Sequence, residues 1–268
     1  MLGLFGPKRP IDGDEFEWML ATIKWLLQTY DGVAGLREAR LVTPTTDFFP
    51  TSNATSHALA EEIFDRVRAA AGMLEWRCRL MAGDPSRPMQ VARGFALKHE
   101  SFAPAGTFIR ADDREGMLAI IRYNPNQLAT PPTLVATFAH ELAHYLLSAA
   151  HEYPPGGRDL EELATDLTAV FLGFGIFMAN GAKSFRAFQS FDESGWESSR
   201  QGYLSEAALV TALAIIERLS GRNPRDAAPW LKPHLASDLA KADAYLAKRH
   251  PDLARDIEAI DLDEYRTE

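Results

Sequence analysis

Apolar residues recur along this chain mainly at every third or fourth position, and in a few short stretches at every second. Residues 14–30, DEFEWMLATIKWLLQTY, line up Phe16, Met19, Leu20, Ile23, Leu26, Leu27 and Tyr30 on one helical stripe, and Gly32 and Gly35 follow where that helix can end. ARLVTPTTDFFPTSNATS predicts a short strand running into a loop of Pro, Thr and Ser. HALAEEIFDRVRAAAGM returns to helical spacing through Leu59, Ile63, Val67 and Ala70, and LEWRCRLM alternates as a half-buried strand does. Residues 83–116 mix Gly, Pro and charge and predict short strands, and GMLAIIRYNP is the clearest strand signal, ended by Asn124 and Pro125. Thr130 and Pro131 then open a helix that meets no breaker until about Ala150. Pro154, Pro155, Gly156 and Gly157 make a loop, after which Asp159 can cap the helix LEELATDLTAVFLGFGIFMA. Two more helices follow, from Ser205 to Gly221 and up to Pro251, and the tail DLARDIEAIDLDEYRTE is acidic. The pattern predicts a mostly helical α+β fold, with a small antiparallel or mixed sheet and a helical C-terminal part. No repeat or long linker divides it. One domain over 1–268 is expected: an α/β part (1–130), a helix pair (131–182) and a helical part (183–268).

Composition narrows the setting. The 268 residues are 46% hydrophobic and 24% charged, ordinary for a globular protein, and suffice to bury a full core. A net charge of −9 argues against a large nucleic-acid surface. Cys78 has no partner for an internal disulfide, which suits a reducing cytoplasm, and a buried structural thiol is expected there. MLGLFGPKRP lacks the apolar core of a signal peptide. The most apolar run, Leu167 to Ala182, falls short of the roughly 20 residues of a membrane span and predicts a core helix, without stable membrane insertion.

The chemistry sits in TFAHELAHYLLSAAHEY. His140 and His144 are four positions apart, so on a helix of about 3.6 residues per turn they share a face and can converge on one ion. Glu141 is about 100° around and can reach a water bound to that ion. Two histidines on zinc with the glutamate as general base is the chemistry of the H-E-x-x-H motif. Leu134, Phe138, Leu142, Tyr145 and Leu146 form the opposite, core-facing side.

Two histidines need a third ligand. His151 is a poor offer. The metzincin pattern would require glycine at position 147 and histidine at position 150, where this chain has Leu147 and Ala150. The next helix offers EELATD, in which Glu162 and Asp166 are one turn apart. A carboxylate can complete a catalytic His₂Glu set, and a second carboxylate can accept the free N–H of a ligand histidine. Glu161 competes, but its partner one turn on is Thr165, a poorer orienter than Asp166.

HELAH followed by ELATD resembles the gluzincins, the thermolysin-like superfamily with H-E-x-x-H on one helix and E-x-x-x-D on the next. HELAHYLL, EELATDLTAVFLGFGIFMANG and GYLSEAAL also look like a group of bacterial proteins described only as zinc-binding peptidases, a likeness that covers roughly residues 110–220. Carried over, the gluzincin resemblance makes Glu162 the third zinc ligand and Asp166 its supporting carboxylate. It implies a zincin-type active-site helix packed on the sheet and a peptide or protein substrate. GMLAIIRYNP would be the edge strand on which an extended peptide pairs. Gluzincins also use a Tyr or His from beyond the second helix to stabilise the transition state, which points to Tyr203, with His151 and Tyr153 as the other candidates. The expected activity is a zinc metallopeptidase with Glu141 as base. The other reading is a zinc-binding sensor or interaction protein on the same fold.

Overall fold

The computed structural model describes residues 7–83, 106–113, 116–189 and 203–266. The N-terminal MLGLFG, much of the expected strand-bearing stretch 83–116 and the residues just before Tyr203 lie outside the described residues. The architecture is α+β and mostly helical, as the periodicity predicts.

Helix α1 (Gly13–Thr29) begins where the Asp12 side chain accepts the Asp14 N–H at 2.9 Å, and it buries Phe16, Met19, Leu20, Ile23 and Leu26. Asp31 and Gly32, at φ 41° and 62°, end it, but the chain at once re-enters a short helix α2 (Gly32–Glu38), so Gly35 is helical. The strand expected after Ala39 does not form. Val42 is fully buried and donates its N–H to the Gly173 carbonyl at 3.0 Å, an acceptor at a kink between two helices rather than a strand. Pro44 and Pro50, which have no N–H, cannot extend that pairing into a ladder.

Helix α3 (Ser56–Ala70) leads to β1 (Cys78–Ala82), which starts later than LEWRCRLM suggests because residues 74–76 turn. Cys78 is half-buried, and burial pushes its thiol up to about 11. Strands β2 (Gly106–Asp113) and β3 (Gly116–Tyr123) complete a sheet of order β1-β3-β2, with β1 parallel and β2 antiparallel to β3. This corrects the edge-strand expectation: GMLAIIRY is the central strand, with neighbours on both sides. Ala119, Ile121 and Tyr123 are buried, and the strong apolar signal of β3 reflects that central place. Among the described residues the edges are β1 and β2.

The sheet rests on α4 (Pro131–Ser148), which carries Pro131 at its first position. A 3₁₀ turn (Gly157–Leu160) then opens α5 (Glu161–Ala169); Asp159 lies within that turn and does not cap the helix. A π-turn (Val170–Phe174), with Gly173 at φ 98°, separates α5 from α6 (Gly175–Gln189). Helix α7 (Glu206–Leu219) is capped by the Ser205 hydroxyl, which accepts the Ala208 N–H at 3.0 Å, and Gly221 at φ 76° follows its end. Helices α8 (Pro233–Arg249) and α9 (Leu253–Glu258) close the described chain. One hydrophobic cluster takes in side chains from Phe16 of α1 to Ile257 of α9. The helical stretch Gly157–Lys183 exceeds the run Leu167–Ala182 and is long and apolar enough to cross a membrane. In its most apolar window, however, 83% of the residues are buried inside the protein.

Candidate metal centre

Helices α4 and α5 meet along the faces that carry the motif residues. One turn of α4 separates His140 and His144, and their Nε2 atoms lie 3.1 Å apart. Glu162, in the first turn of α5, places Oε2 3.3 Å from His140 Nε2 and 3.5 Å from His144 Nε2. Bonds of about 2.0–2.1 Å at tetrahedral angles would set ligand atoms about 3.3 Å apart, so the three donors stand at the spacing of a zinc site. Among the described residues they are the group of three or more His, Cys, Asp or Glu side chains that could hold a metal. Glu162 Oε2 is wholly buried within ion-pair distance of the two histidine nitrogens, although the side chain as a whole is 43% exposed. A buried carboxylate oxygen facing two ring nitrogens is a place for a cation.

The rings are held so that Nε2 points inward. Asp166 Oδ1 is 3.0 Å from His140 Nδ1, and a carboxylate oxygen can only accept there, so Nδ1 carries the hydrogen. Asp166 Oδ2 accepts the backbone N–H of Leu204 at 2.8 Å. That second bond docks the lead-in to α7 beside the site and sets the Tyr203 ring against His140, centroids 5.6 Å apart. His144 is stacked by Phe108 of β2, at 6.3 Å and 6° between planes, and its Nδ1 lies 3.3 Å from the Thr165 hydroxyl.

Charge follows from this packing. Burial pulls the His140 pKa down, but Asp166 and Glu162 outweigh it and push it up to about 10. For Glu162 burial works upward, yet the two histidines win and hold the carboxyl well below the usual carboxylate range. Both shifts favour a positive charge on His140 beside a negative one on Glu162. Burial pushes Glu141 up, partly offset by His140 and His144, which keeps a 4%-exposed carboxylate basic. Glu141 lies outside the ligand group and against Gly106, the first residue of β2. A Cβ on Gly106 would stand 2.6 Å from Glu141 Oε1 and 2.6 Å from Thr137 Cγ2, so only glycine allows this approach.

The remaining candidates separate clearly. His151 is exposed in the loop after α4. Tyr153 is 56% exposed, and its hydroxyl accepts from Arg158 Nε at 2.9 Å. Glu161 stands outside the ligand group, its backbone carbonyl taken by the Thr165 hydroxyl at 2.8 Å. Sequence reasoning missed Gly106, Phe108 and the Leu204 N–H, and set Thr165 aside. Only Thr165, in the turn after Glu162, carried a signal that spacing could have used. No family model, no curated protein and no solved structure matches this chain.

Proposed function

We propose that the protein is a zinc-dependent hydrolase, a metallopeptidase of gluzincin type that cleaves peptide bonds with a glutamate base. The observation that carries the reading is the triangle of His140 Nε2, His144 Nε2 and Glu162 Oε2, with edges of 3.1, 3.3 and 3.5 Å, beside a buried Glu141 of raised pKa. Zinc held by His140, His144 and Glu162 would supply a Lewis acid that brings the pKa of a water in the remaining position down towards about 7.

The protein's own groups do the rest. Asp166 keeps His140 in the tautomer that presents Nε2. Glu141 takes the proton of the attacking water and returns it to the leaving amine, and the burial that raises its pKa makes it a stronger base for that role. Tyr203, whose ring packs against that of His140 with centroids 5.6 Å apart, is the group we assign to donate a hydrogen bond to the oxyanion that develops on the scissile carbonyl. With β3 central, the edge available to an extended peptide is β2. Its Phe108 packs beside His144, and its outer side has no strand partner among the described residues. Cys78, the one cysteine of the chain, suits a cytoplasmic setting. A zinc-binding sensor would need the ligand triangle but would have no use for a buried, basic Glu141.

The test separates binding from chemistry. Metal analysis of the purified protein should find about one zinc per chain, and His144→Ala should lose it. Glu141→Gln should keep zinc and abolish turnover of any peptide substrate, while Tyr203→Phe should lower kcat about a hundredfold with zinc content unchanged. A wild-type protein that holds no divalent metal, and takes none up on addition, rules the reading out.

A further inference from the structure

The geometry points to Thr165 as the positioning residue for His144, the counterpart of what Asp166 does for His140; this inference rests on the metal-centre reading above. Thr165 is fully buried on α5. Its hydroxyl has one hydrogen, and the Glu161 carbonyl 2.8 Å away can only accept it. The hydroxyl oxygen is then an acceptor towards His144 Nδ1 at 3.3 Å, so the ring's hydrogen belongs on Nδ1 and the Nε2 lone pair faces His140 and Glu162. The stacking of Phe108 at 6° fixes the plane of the His144 ring but not its face, because a half-turn of the ring in that plane stacks equally well. The hydroxyl breaks this tie. Successive residues of α5, Thr165 and Asp166, thus set the tautomer of both α4 histidines.

Two readouts test it, one of them free of metal. Nitrogen-15 NMR of the metal-free protein, at a pH where its own titration shows the His144 ring neutral, should find the hydrogen on Nδ1. Thr165→Val, close in shape but without the hydroxyl, should lose that preference, and Thr165→Ser should keep it. In chelator competition the valine variant should bind zinc about 10–100-fold more weakly, with serine returning to within about threefold of wild type. A wild-type His144 protonated on Nε2 overturns the proposal whatever the variants do. So does a valine variant that keeps both the tautomer and the affinity. If the wild type shows the Nδ1 hydrogen and its dependence on Thr165 but takes up no zinc, the metal-centre reading fails while the placement of His144 by Thr165 stands.

Discussion

Asp166 uses both carboxylate oxygens, one on His140 Nδ1 and one on the Leu204 N–H, whereas Glu162 leaves a buried oxygen facing two histidines. That division predicts an order of losses. Glu162→Ala should nearly abolish zinc binding, Asp166→Ala should weaken it about 10–100-fold, and Glu161→Ala should leave it unchanged; chelator competition measures all three. The same residues predict a pH dependence. In the metal-free protein the His140 pKa is raised to about 10, above the ~6.5 of an unfolded histidine. Its stabilising contribution is complete below about pH 6.5 and is lost as pH rises through about 10. The Glu162 pKa is lowered, so its contribution is present above about pH 4.3 and is lost as pH falls towards the lowered value. The protein without metal should therefore lose thermal stability between about pH 7 and 10, and under the proposed function added zinc should abolish that decline. Calorimetry in buffers of different ionisation enthalpy should show proton release on zinc uptake and an affinity that rises with pH.

At the scale of elements, the break between α5 and α6 lets a non-helical segment join the core. Gly173, at φ 98°, turns its carbonyl to the Val42 N–H, and a Cβ there would collide with the Arg40 carbonyl oxygen. Gly173→Ala combines an unfavourable backbone region with that collision. It should cost at least about 1–3 kcal/mol, read as a lower denaturant midpoint. An unchanged midpoint would mean that the segment from Arg40 to Val42 yields freely. The sheet gives a parallel case. The GMLAIIRY stretch was legible as a strand from its own residues, but its central place came from Cys78–Ala82 on one side and Gly106–Asp113 on the other.

For the molecule as a whole, the segment lying on Gly173 is tied to the end of α7. Glu217 is 1% exposed and receives Arg222 through Nε at 2.8 Å and a second nitrogen at 2.9 Å, while the third nitrogen reaches the Ala39 carbonyl at 2.6 Å. Arg222→Ala leaves a buried carboxylate without its partner and should destabilise by about 3–5 kcal/mol in urea unfolding. Replacing the pair together, Glu217→Leu with Arg222→Met, should recover most of that loss. A small effect of Arg222→Ala alone would show that water reaches Glu217. Helix α7 is also docked at its start, through the Leu204 N–H on Asp166 of α5.

What the sequence by itself determined is what an element carries within its own turns. The helical period places His140 and His144 on one face, with Glu141 offset and Leu134, Phe138 and Leu142 in the core; the same period places Glu162 and Asp166 together on the next helix. Caps such as Asp12 and Ser205 are equally local, since the bond closes within three residues. The tertiary structure alone decided which strand is central, that Val42 pairs with the kink at Gly173, that Gly106 lies on Glu141 and that Thr165 meets His144. Those contacts join residues far apart in the chain, and their existence depends on how whole elements pack, which no periodicity within either partner records.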